Sequence, residues 1–137
     1  MWWIYALLSA LFASLTAIFA KIGITNVKSD LATAIRTVVI LLIAWAIVLT
    51  RGGAKGITEL SKHNLLFLVL SGATTGLSWI FYYKALQLGK VSQVAPVDKL
   101  SVALTILLSF IFLNEDLTVK SIAGALLIIC GTLVLIF

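Results

Sequence analysis

Few side chains in this sequence could carry chemistry, and most of them lie between Gly72 and Leu113. Asp98, Ser101, Thr105 and Ser109 recur every three or four positions, which puts them on one face of a helix. In an apolar segment, such a stripe must look at a neighbouring helix or a water-filled cavity. It can line the path of a small solute. It can equally serve packing, because Ser and Thr bond across helices or back to their own carbonyls. Ser109 is assigned to packing. Asp98, Ser101 and Thr105 are candidate binding residues. Trp79 and Tyr83 share a face with Gly72 and Gly76, and Tyr82 lies beside it. Aromatic rings with a polar handle suit a site for an amphipathic small molecule. Core or interfacial aromatics are the other reading. Gly72 and Gly76 form a small-x-x-x-small pair, which lets two helices approach closely.

Four cations also fall in or beside apolar runs: Lys21, Arg36, Lys84 and Lys99. At mid-bilayer each would cost about 2.5 to 3.5 kcal/mol. Each lies within one or two turns of the end of its run, so snorkelling to the interface is cheaper. All four ends fall on the same side, as does Asp98, which could pair with Lys84, Arg36 or Lys99. They are a candidate basic vestibule that favours anionic or zwitterionic solutes. The alternative is an orientation signal with a local ion pair.

Catalytic groups are not assembled. The sequence holds no Ser-His-Asp set, no glycine-rich phosphate loop and no Cys/His cluster, so an enzyme, a cofactor or a metal site is not expected. His63 is expected in a polar loop, solvated. Cys130 is the sole cysteine, which excludes an intrachain disulfide; a small buried hydrophobe is its expected role.

The elements that position these residues follow from composition. The chain has 137 residues, 62% of them hydrophobic and 11% charged. Its mean hydropathy is +1.19. No aqueous core of this size hides that much apolar surface, so lipid is the solvent. The net charge of +5 sits mostly in turns between apolar runs, which suits lipid headgroups and not nucleic acid.

Five apolar runs cover about 2–21, 31–50, 65–86, 95–113 and 119–137. Each is near the roughly 20 residues that cross a bilayer as a helix. The pattern predicts an all-α protein of the cell (inner or cytoplasmic) membrane, a single domain over 1–137 with no signal peptide. The start at Met1 and the full fifth run lead us to expect a whole chain and not half of a longer one. Trp2, Trp3 and Tyr5 suit an interfacial belt. Ser29 or Asp30 is expected to cap the second helix and Thr118 the fifth, with Pro96 in the first turn of the fourth.

Five spans put the termini on opposite sides. Arg51, Lys55, Lys62 and Lys120 fall on the N-terminal side, against Lys21, Lys28, Lys84 and Lys90 on the other, where Arg36 and Lys99 can be added. Charge therefore orients the chain only weakly. A chain that inserts both ways would pair as an antiparallel homodimer, with Gly124 and Gly131 of the fifth helix as contacts. A single orientation set by Arg36 and Lys99 is the alternative.

Ala85-Leu86, Gly89-Lys90-Val91-Ser92, Val94-Ala95-Pro96-Val97, Leu108-Ser109, Phe112-Leu113, Glu115, Leu117-Thr118, Gly124-Ala125-Leu126-Leu127-Ile128 and Gly131 follow one another in an order that closely resembles the EamA domain of the drug/metabolite transporter superfamily. Phe19-Ala20-Lys21-Ile22-Gly23 adds that domain's Lys-x-Gly ending. The resemblance spans nearly the whole chain. It implies a five-helix repeat, usually present twice per chain in inverted orientation, and a membrane transporter of small metabolites. This chain has one copy, like the short bacterial and archaeal members. It carries Asn114 where Gly is frequent and Ser101 where many members have a second Pro. The expected function is transport by alternating access as a homodimer, with helices one, three and four lining the path. Two rivals remain. One is a small multidrug exporter, although the first helix lacks the acidic residue that small multidrug-resistance proteins keep. The other is a non-transporting membrane subunit that needs a partner chain.

Overall fold

In lipid, no water is available to satisfy backbone polar groups, so a spanning segment must bond to itself as a helix. The computed structural model shows this throughout. It describes the backbone of residues 1–137 and every side chain but those of Lys55 and Thr58; the cation assigned above to Lys55 lies outside the described residues. The helices are α1 (Trp2–Gly23), α2 (Ser29–Thr50), α3 (Lys62–Leu88), α4 (Val91–Asp98), α5 (Leu100–Leu113) and α6 (Val119–Ile136), with a 3₁₀ helix over Gly53–Glu59. Counting α4 and α5 as one segment, five helical stretches among the described residues are long and apolar enough to cross a membrane. This is an all-α, multi-pass membrane protein. Large apolar side chains such as Phe81, Leu104 and Leu127 are exposed, as side chains that face lipid must be.

Several ends differ from the expected ones. α3 starts at Lys62 and so includes His63, whose ring lies 4.7 Å from that of Phe67. The fourth span starts at Val91, and Pro96 therefore sits well inside α4 instead of in its first turn. Hydropathy marks where lipid begins, whereas a helix begins where the backbone turns, here at the extended Lys90, whose carbonyl accepts from Gln93 and Val94 N–H. Cys130 is exposed on its apolar helix and not buried.

The chain forms two compact units. The first, Phe19–Gln87, holds the last turns of α1, all of α2, the 3₁₀ helix and nearly all of α3. Asn26 bends the α1–α2 turn at φ 62°, a left-handed conformation that Asn tolerates. Two side chains fix this turn to the end of α3. Lys21 Nζ donates to the Leu86 carbonyl, and Gln87 Nε2 donates to the Val27 carbonyl. Ala20, Ile24, Thr33, Tyr83 and Leu86 are buried. α2 starts at Ser29 after Lys28, which offers no side-chain cap; Asp30 accepts only from the neighbouring Leu31 N–H at 2.9 Å.

The second unit comprises Met1–Ile18 and Leu88–Phe137. Here α4, α5 and α6 pack on one another. Pro96 lacks an N–H, and its ring opposes the carbonyl one turn back, so the helix is interrupted nearby. Lys99 N–H is shared between the Ala95 and Pro96 carbonyls at 3.3 and 3.0 Å. Thr132 Oγ1, buried on α6, also donates to the Pro96 carbonyl at 3.2 Å. Asn114 ends α5 at φ 52°, where glycine would be the easier choice and Asn is the next best. Thr118 caps α6, its hydroxyl accepting from Ser121 N–H at 3.1 Å, as its position predicts.

Candidate functional site

The unit Phe19–Gln87 brings four of the candidate residues together. Trp79, Tyr82 and Tyr83 lie within one turn of α3, so their rings must meet. The Tyr82 ring stands edge-on to Trp79 at 5.5 Å, and the Tyr83 ring is tilted at the same distance. Tyr83 is only 4% exposed. From α2, the Arg36 guanidinium lies over the Trp79 ring, with Cζ 3.3 Å from its centroid. The negative face of the indole attracts this cation. The sequence grouped Arg36 with the vestibule and Trp79 with the binding site; the structure joins them.

Beside this cluster, an open cleft of about 950 Å³ lies where the α1–α2 turn meets α3. Lys21, Lys28 and Lys84 line it, with Asp30, Gln87 and Ile80. Of the expected vestibule cations, Lys21 and Lys84 thus share one cleft. Lys28, a turn charge in the sequence, joins them. Lys99 belongs to the other unit.

In that second unit, Asp98 pairs with Lys99, its chain neighbour, at 3.4 Å. Both side chains are well exposed, so this pair ties no helices together and stabilises little. Of the three partners considered for Asp98, the structure selects this one. Thr105 Oγ1 donates to the Ser101 carbonyl at 2.8 Å, and Ser109 Oγ to the Ile106 carbonyl at 3.0 Å. Both hydroxyls are satisfied within their own helix, and Ser101 is exposed beside them. Among the described residues, a Cβ built on Gly72, Gly76, Gly124 or Gly131 would meet nothing within 4 Å. Among the described residues, no three His, Cys, Asp or Glu side chains gather as a metal site would require.

Sequence reasoning missed four contacts: Arg36 on Trp79, Lys21 to Leu86, Gln87 to Val27, and Thr132 to Pro96. Only the first left a trace. Arg36 lies seven residues past the start of α2, deeper in its helix than Lys21 or Lys84 in theirs. None of the others follows a helical period, because each reaches between elements far apart in the chain.

The profile of the EamA-like transporter family matches residues 1–137. The chain belongs to this family. It is also similar to a Sinorhizobium protein described as an uncharacterized transporter in the cobO 3′ region, with 46% identity over 98% of this chain and 95% of the relative. An uncharacterized protein of Methanocaldococcus jannaschii is 32% identical over 96% of this chain and 93% of its own length. No solved structure matches this EamA-like chain. Membership makes it a membrane transporter of small molecules and not an enzyme.

Proposed function

We propose that this EamA-like chain is one five-helix repeat that works as an antiparallel homodimer, moving a small metabolite across the cell membrane by alternating access. The observation that carries this reading is the uncovered surface of the helices. Gly72, Gly76, Gly124 and Gly131 each face open space, and apolar faces on every span are exposed. Five helices enclose little by themselves, whereas two oppositely inserted copies would supply the two-fold axis in the membrane plane that many transporters build from repeats. The near balance of cations at the two ends lets the chain insert both ways.

In this reading the solute passes between the copies. Trp79, Tyr83 and Tyr82 offer aromatic surface to it. Asp98 and Ser101 offer polar groups, and Thr105 lines the path. The cleft of Lys21, Lys28 and Lys84 draws anionic or zwitterionic solutes to one mouth, and a second copy repeats it at the other. Gly124 and Gly131 let the two α6 helices approach.

Topology tests this. In a Cys130→Ser background, Lys90→Cys and Lys120→Cys are labelled separately with an impermeant maleimide from each side of the membrane. Partial labelling of both positions from both sides is expected. Labelling of each from one side only refutes the antiparallel pair.

A further inference from the structure

Arg36 carries its charge inside a membrane-spanning helix. It is seven residues beyond the start of α2, about 10 Å along the axis at 1.5 Å per residue. Charged groups at such positions face a partner, a cavity or a solute path. Among the described residues the ion pair is Lys99 with Asp98, and no carboxylate is paired with Arg36. What Arg36 has is the Trp79 ring at 3.3 Å. A desolvated cation–π contact returns about 2 kcal/mol or more. That contact offsets burial of the charge through one face of the guanidinium and makes no hydrogen bond to its N–H groups.

The geometry of the stack shows what is left over. A ring beneath a guanidinium covers one flat face. The N–H donors lie in the guanidinium plane and point outward from its edge, a fork that matches two oxygens of a carboxylate or phosphate. Tyr83, buried and tilted against Trp79 at 5.5 Å, packs beside the ring that carries the guanidinium. A lysine would fill this position poorly, since its ammonium has no flat face to stack. The cleft lined by Lys21, Lys28 and Lys84 is also lined by Ile80, the residue after Trp79. Its positive potential would concentrate anions next to the stack.

We propose that Arg36, held flat against Trp79, binds the negative group of the transported solute, and that the solute is an organic anion bearing a carboxylate or a phosphate. This rests on the transporter reading above and names its substrate class. The aromatic side chains around the stack favour an anion with an apolar or planar body over a bare inorganic one.

The test uses purified protein in a lipid-free non-ionic detergent. Benzoate, phenyl phosphate and benzamide, the uncharged match of benzoate, are titrated to about 10 mM, the range of weak sites. Binding is read by the shift in Tm and by tryptophan fluorescence. Both anions should raise Tm saturably and benzamide should not. Arg36→Gln should weaken anion binding about tenfold or more, and Arg36→Lys should restore only part of it, since the charge returns without the fork. The proposal is overturned by equal binding of benzoate and benzamide, by no saturable binding of either anion, or by unchanged anion binding in Arg36→Gln. If Arg36→Gln fails to run as a single species on size exclusion, Arg36→Lys decides: undiminished benzoate affinity overturns the proposal. Adding phosphatidylglycerol or phosphatidylcholine separates two sources of the same chemistry. A block by phosphatidylglycerol alone assigns the site to a lipid headgroup, and no block assigns it to a soluble anion. The topology experiment is independent of Arg36. A chain of single orientation that needs Arg36 for anions refutes the dimer alone, and a dual-inserting chain indifferent to Arg36 refutes this proposal alone.

Discussion

Around the end of α3, polar side chains reach from one element to another; from the end of α4 along α5 they turn to neighbours in the same stretch of chain. Lys21 and Gln87 bond carbonyls some sixty residues away in sequence, and Arg36 crosses from α2 to the Trp79 ring. Thr105 and Ser109 bond carbonyls one turn earlier, and Asp98 takes its own neighbour Lys99. Both arrangements avoid an unsatisfied polar group in lipid. They leave different things behind. A hydroxyl bonded to its own helix asks for nothing more. A guanidinium on an aromatic ring still has its donors to use.

The contrast can be broken most directly at Trp79. Trp79→Ala removes the ring that holds Arg36, and transport of an organic anion into proteoliposomes should fall about tenfold, the effect of losing one stacking contact of about 1.5 kcal/mol. Unchanged transport would make the aromatic cluster mere packing. Next comes Lys21→Met, which removes the donor to the Leu86 carbonyl. It should destabilise the fold by about 1 to 2 kcal/mol, measured by unfolding in sodium dodecyl sulfate. Thr132→Val sharpens the comparison inside the second unit. Its hydroxyl does cross between helices, to the Pro96 carbonyl, and its loss should cost about 0.6 kcal/mol while leaving anion binding unchanged. The smallest effect belongs to Thr105→Val. The lost hydroxyl served only the Ser101 carbonyl, so stability should move by a few tenths of a kcal/mol and transport by less than about threefold. A tenfold loss of transport there would show that the Thr105 hydroxyl itself bonds the solute, and the distinction between the two regions would fail.

Much of the candidate site could be read from spacing alone. Trp79, Tyr82 and Tyr83 had to be neighbours because a helix brings positions three and four apart together. The period through Ser101, Thr105 and Ser109 was likewise visible and falls within α5, whereas Asp98 ends α4 on the other side of the break at Lys99. The hydroxyl bonds along that period were not visible, since a period gives the face and says nothing of whether an Oγ turns outward or back. Pro96 shows the same limit. Its effect on the helix was foreseeable, but its place in α4 depended on where Lys90 turned the backbone.

The sequence by itself determined the solvent, the helical class and the family. Each follows from composition and from motifs in fixed order, which survive any arrangement of the helices. Tertiary structure alone decided the partners of the charges: Lys21 with Leu86, Asp98 with Lys99, and Arg36 with Trp79. The physical reason is reach. A long cationic side chain can satisfy itself at the interface, on a carbonyl or on a ring for similar free energies, and only the positions of neighbouring helices select among them.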